Sequence, residues 1–160
     1  MQPEHRLEDV RIIDFPQTRV ALLEHRGDPA LLGDSVRRFI AWRRRHHLPP
    51  ALAATYNLWY DDPERTAAKH FRLGLCVATE QEIAPDGSGI VPFRIPGGRC
   101  ALRRLTGPQD TRKRSAAWLY GQWLPQSGME PRDFPLILQR LRFFPEVPEH
   151  EAISDLLPLA

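Results

Sequence analysis

Two stretches decide how this chain folds: "VRIIDFPQTRVALLEHRG" at residues 10–27 and "IVPFRIPGGRCALRRLTG" at residues 90–107. Shifted by eighty positions, one lies on the other without a gap. Pro16 then meets Pro96, Arg19 meets Arg99, Ala21 and Leu22 meet Ala101 and Leu102, and Gly27 meets Gly107. The punctuation carries the match further than these identities do. Each stretch is a short apolar run, a proline turn, a second apolar run and a glycine. Self-similarity at a fixed spacing signals a repeated unit, and the elements on either side extend it.

In the first half, Val10–Phe15 and Val20–His25 read as strands, and "RGDP" at 26–29 closes the second. From Ala30 to His47 the period changes. Leu32, Val36, Phe39 and Ile40 recur at helical spacing, and the arginines, with Arg43 to Arg45 in the last turn, take the solvated faces. "LPP" at 48–50 stops the helix. Thr55–Tyr60 and Phe71–Thr79 follow as strands. The second half repeats the order: strands at Ile90–Ile95 and Arg99–Thr106, and a helix from an Asp110 cap to about Leu124. Strands at Pro135–Phe143 and Ala152–Leu159 close it. The expected fold is α+β and internally duplicated. It has two pseudo-symmetric antiparallel units, at about 8–80 and 88–160 of one domain, each backed by a long helix. A central groove along the pseudo-twofold seam is the natural small-molecule pocket.

The composition is that of an ordinary globular chain: 160 residues, 42% hydrophobic, 26% charged, formal net charge +2. No apolar run reaches the length of about 18 residues that a membrane helix needs, and the polar start is unlike a secretory signal. Cys76 and Cys100 lie in apolar runs and read as buried thiols of a cytoplasmic protein. The histidines lack zinc spacing, "DGSG" at 86–89 is no serine elbow, and no helix-turn-helix or RNA-binding pattern occurs. Metal, cofactor, membrane and direct nucleic-acid partners are therefore not expected, and no catalytic residue is assigned.

The aromatics of "YNLWYDDPER" at 56–65 are the remaining candidates. Strand side chains alternate, so Trp59 and Tyr60 point to opposite faces. Thr55, Asn57 and Trp59 share a face with two polar residues. That favours the open, ligand-facing side for Asn57 and Trp59 and the core for Tyr60. Asp61 and Asp62, ahead of Pro63 and Glu64, read as a turn rather than a catalytic pair. On the second helix Leu119 and Trp123 share a face. Trp118 and Tyr120 are open to either packing or groove lining.

Several stretches together resemble the GyrI-like small-molecule-binding domains. They are the "HRG" after the second strand, "WYDDP" at 59–63, "IPGGRCAL" at 95–102, "WLPQSGME" at 123–130 and "ISDLLPL" at 153–159. That family includes effector-binding domains of AraC- and MerR-type multidrug regulators and stand-alone DNA gyrase inhibitory proteins. The resemblance implies a lipophilic, often cationic, ligand, and a protein partner such as gyrase or a regulator. For some members it implies hydrolysis of strained cyclopropane compounds. It also implies a glutamate in the pattern P-x-x-E-x-Y, where this chain reads "PLILQRL" at 135–141, with Leu138 for the acid and Arg140 for the tyrosine. A leucine beside an arginine does not favour a cation. The expected function is non-catalytic binding or sensing of a neutral or anionic lipophilic molecule, with Asn57, Trp59, Trp118, Tyr120, Leu138 and Arg140 as its contacts. Hydrolysis and protein–protein inhibition are the alternatives.

Overall fold

A computed structural model describes residues 9–61 and 65–160. The turn expected at Asp62, Pro63 and Glu64 lies outside them. The described chain is mixed α+β and its strands pair antiparallel. In order it forms β1 (Arg11–Phe15), β2 (Thr18–Arg26), α1 (Leu32–Arg45), β3 (Thr55–Trp59), β4 (Arg72–Ala78), β5 (Val91–Ile95) and β6 (Gly98–Thr106). Then come α2 (Gln109–Trp118), a π-helical turn at Leu119–Trp123, α3 (Leu124–Ser127), β7 (Leu136–Arg142) and β8 (Ile153–Leu157).

Two compact units divide the chain: residues 17–96, and residues 1–16 with 97–160. Each unit takes one strand from the opposite half of the sequence. In the first unit β2 lies between β4 and β5, and β3 pairs with β4. In the second, β6 lies between β1 and β8, and β7 pairs with β8. The registers obey the shift of eighty. Arg11 faces Leu102, and Val91 faces Leu22. β1 and β5 also share one burial sequence, ending on the buried Phe15 and Ile95. The prolines that follow, Pro16 and Pro96, have no N–H to extend a ladder. The chain changes unit at both. Gly98 has φ +143° and packs against Arg132, whose Nη1 donates to the Gly97 carbonyl at 2.9 Å. A side chain would strain that backbone and meet the guanidinium.

In the unit 17–96, Phe39 and Trp42 of α1 are buried in one cluster with Ala21 and Leu23 of β2, Leu75 and Val77 of β4, and Leu48 and Ile90. The inward face of α1 is Ser35, Phe39, Trp42 and Arg43, and Ile40, expected on that face, is 41% exposed. The stripe is rotated because Arg43 turns inward rather than into solvent. Its Nε donates to the Leu48 carbonyl at 2.8 Å, Nη1 to Thr55 Oγ1 at 2.9 Å and Nη2 to the Ala53 carbonyl at 3.3 Å. These bonds tie the helix end to the start of β3. Asp28 caps the short turn before α1 by accepting from Ala30 N–H at 2.9 Å.

In the other unit, α2 starts at Gln109 with Pro108 in the N-cap position, not at an Asp110 cap. Asp110 sits in the first turn, where its charge complements the helix dipole. The helix also continues beyond Leu124, through the π turn to Ser127. Pro125 offers no N–H to the Gly121 carbonyl, and the bonding pattern slips by one residue ahead of it. Leu119, Trp123 and Leu124 are buried, so the expected Leu119–Trp123 face is present.

Candidate functional site

In β3, alternation and register place the candidates. Thr55 lies opposite Val77, Asn57 opposite Leu75 and Trp59 opposite Leu73. Leu75 and Val77 pack with α1, so Asn57 and Trp59 occupy the α1-facing side, not an uncovered one. The polar Thr55 that suggested an open face is there to meet Arg43. Asn57 is buried and Trp59 half-buried. Tyr60 is half-buried rather than core. The Arg72 guanidinium lies 4.7 Å over its ring, and burial, followed by the nearby Glu24 and Cys76, raises its hydroxyl pKa. Asp61 has a structural partner: it accepts from the Arg72 N–H at 2.9 Å at the start of β4. Nearby is a cavity of about 300 Å³ lined by Arg26, Lys69, His70, Phe71 and Arg72. Two of these are paired to acids, Arg26 to Glu24 and Arg72 to Asp61.

The other four candidates lie in the second unit. Leu138 and Arg140 share a face of β7. Leu138 stands opposite Leu156 and Arg140 opposite Ser154 on β8. Beyond them Leu156 stands opposite Arg103 and Ser154 opposite Leu105 on β6. This one face therefore carries Leu138, Leu156, Leu105 and Ser154 together with two arginines. Leu138 is 1% exposed. Trp118 joins the same face from α2, its ring 5.6 Å from the Arg103 guanidinium. Arg112 of α2 is buried and donates to the Gly107 carbonyl at 3.2 Å and to Glu149 Oε1 at 2.9 Å. Arg140 lies over the Phe143 ring at 5.1 Å. Burial, followed by the nearby Arg112, lowers its pKa to about 10, and Glu149 acts the other way. Arg103 pairs with Asp9 at 3.2 Å.

The buried carboxylate of Asp155 belongs to the opposite face, where Arg104 holds both its oxygens, at 2.8 and 3.1 Å. Tyr120 is in the π turn and 37% exposed. Burial pushes its hydroxyl pKa up to about 12. π turns recur at functional sites.

Leu138, Arg140 and Trp118 thus come to one face. Arg103, Arg112 and Ser154 join them, and none of the three stood out in the sequence. A signal was present for one: in "ALRRLT" strand parity puts Arg103 between Ala101 and Leu105 on the buried side.

Antiparallel units of this kind, with an apolar face flanked by aromatic and polar side chains, define a class of small-molecule-binding domain. The chain belongs to the family of GyrI-like small molecule binding domains, whose model matches residues 8–159. It is 35% identical over 154 residues to the probable transcriptional regulator YgiV of Escherichia coli strain K12, with 95% of this chain and 96% of that protein aligned. Its fold resembles the crystal structure of the EcmrR C-terminal domain, with a TM-score of 0.74, 15% identity, and 94% and 95% of the two chains covered. In the cryo-EM structure of an EcmrR–DNA complex it matches with a TM-score of 0.73 and 14% identity, covering 93% of itself but only 56% of the EcmrR chain.

Proposed function

We propose that the protein is a non-catalytic binder or sensor of lipophilic small molecules, built as an internal duplication. In the unit that holds β6, β7 and β8 the candidate contacts are Trp118, Leu138 and Arg140 with Tyr120 of the π turn. In the unit 17–96, taken by itself, Asn57 and Trp59 are candidates only where a ligand enters the α1-facing side of β3. The family membership supports the ligand class. The observation that carries the non-catalytic reading is Leu138, a fully buried leucine where the family pattern has an acid. On its face the described carboxylates, Asp9 and Glu149, are engaged by Arg103 and Arg112. A general base needs a carboxylate free to take a proton.

The aromatic side chains would bury a flat ligand at low entropy cost. Binding would stabilise the folded protein by mass action, and an effect on transcription, as the name of the YgiV relative suggests, would pass through a partner. Thermal unfolding with a panel of lipophilic cations, neutral compounds and anions tests the reading, with chromatography of the same mixtures over hours. Stabilisation without consumption of the compound is the expected result. Consumption would instead support hydrolysis. If no panel member stabilises the protein, the reading is wrong, and inhibition of a protein partner becomes the better account.

A further inference from the structure

We propose that the cavity at the end of β2 and β4 is a binding site for a phosphoryl group, held by Arg26, Lys69, His70 and Arg72. The site goes beyond the lipophilic reading and does not depend on it. It lies wholly within the unit 17–96. Its residues come from two places in the sequence, "HRG" at 25–27 and "KHFR" at 69–72. Strand pairing joins them. Arg26 stands directly opposite Arg72 in the antiparallel register, and the Gly27 N–H donates to the Phe71 carbonyl at 2.9 Å. The short turn Ala68–His70 sets Lys69 and His70 beside the pair. With the buried Phe71, these residues line a cavity of about 300 Å³.

Like charges directly opposite one another destabilise a pair of strands. Glu24 and Asp61 offset this in part. Each engages the Nε edge of one arginine, Glu24 that of Arg26 and Asp61 that of Arg72 at 3.5 Å. The side-on edge by which a guanidinium grips a carboxylate is therefore taken on both side chains. The Nη ends of the two guanidiniums, the Lys69 ammonium and an imidazole N–H of His70 are what the cavity offers a ligand. They come from β2, the turn and β4. Donors that converge from separate directions suit a tetrahedral group with three terminal oxygens better than a planar carboxylate. An anion held there also counters the repulsion between the facing arginines. The volume is at the low end of that of small-molecule pockets, with room for the phosphate of a small ester as well as for the free ion.

The test is calorimetric titration of the intact chain with inorganic phosphate, glycerol phosphate and acetate, at low salt because exposed charges are screened. Both phosphates should bind roughly tenfold more tightly than acetate, or better. Lys69→Met and Arg72→Gln should each weaken that binding about fivefold or more, whereas Arg44→Met, which removes the same charge from an exposed place on α1, should leave it within about twofold. Lys69 is exposed in its turn, so its variant guards against misfolding; thermal unfolding confirms that each variant is folded. Tighter binding of glycerol phosphate assigns an ester as the occupant, tighter binding of phosphate the free ion, and either supports the site. Equal losses in Lys69→Met and Arg44→Met overturn it in favour of diffuse attraction to a basic surface. Acetate binding as tightly as the phosphates overturns the phosphoryl class. Binding that appears only after Asp62→Asn and Glu64→Gln overturns the site too, because the chain's own acids then compete for these cations. No phosphate binding removes the proposal and leaves the lipophilic reading untouched.

Discussion

Replacing Leu138 by glutamate restores the acid of the family pattern and tests the burial on which the functional reading depends. Leu138 is 1% exposed, so losing its side chain from the interior costs about 1.5–3 kcal/mol. The new carboxyl would be ionised in water at pH 8. In the fold it must stay neutral or be desolvated, and each pKa unit of displacement costs about 1.4 kcal/mol, so two units cost about 2.7 kcal/mol. Arg140 lies two residues along on the same face and returns part of this. The net loss at pH 8 should be about 3–5 kcal/mol, which at roughly 2–4 °C per kcal/mol for a chain of this size lowers Tm by about 6–20 °C.

The sign with pH follows from the raised folded-state pKa. Below the unfolded value of about 4.3 the carboxyl is protonated in both states, and the penalty is smallest. As pH rises from there towards the folded-state pKa, the unfolded chain gives up the proton while the folded one keeps it, so the variant falls further behind the parent until the gap levels off above the folded-state pKa. Urea unfolding of both proteins from pH 5 to pH 8 measures the difference. A gap below about 1 kcal/mol that does not change with pH would refute the reasoning, because a dry apolar site cannot accept a charge so cheaply. A lipophilic cation should also bind the variant more tightly than the parent.

Other outcomes follow from the packing. Gly74→Ala should destabilise by about 1–3 kcal/mol through overpacking, since the added methyl would sit 3.0 Å from Leu58 Cβ and 3.1 Å from Leu22 Cδ1. Gly121→Ala, with nothing within 4 Å of the new carbon, should be neutral or stabilising by about 0.5–1 kcal/mol; urea unfolding checks both. Arg43→Met should cost about 2–3 kcal/mol by stranding the Leu48 and Ala53 carbonyls and Thr55. The same change at exposed Arg44 should stay within about 0.5 kcal/mol. Cys76 and Cys100 are both 0% exposed, and burial raises both thiols, that of Cys100 to about 12. Ellman's reagent at pH 8 should label neither in the native protein and both in denaturant, as thiolate is the reactive form.

Strands were readable wherever an apolar run ended on proline or glycine. Pro16, Pro96, Gly27 and Gly107 mark their ends at matching places, because a missing N–H or Cβ acts locally whatever packs nearby. Helix faces were less readable. Ile40 fits the apolar period of α1 but is exposed, while Arg43 in an arginine run is 6% exposed. A guanidinium with three acceptors waiting at Leu48, Ala53 and Thr55 can be buried, and those acceptors lie beyond the helix in the chain. The aromatics divided on the same ground: parity placed Trp59 and Tyr60 on opposite faces, but only the docking of α1 says which face is covered.

What the sequence alone determined is local and periodic: an α+β chain, its strand ends, and a leucine where the family resemblance implies an acid. That leucine's neighbours belong to tertiary structure. Arg103, Arg112 and Ser154 come from three elements, and nothing in their spacing relates them to Arg140. The register of β6, β8 and β7 and the packing of α2 bring them to one face. Arg112 Nε and Ser154 Oγ are buried there without a hydrogen-bond partner because side chains from distant segments converge where water is excluded.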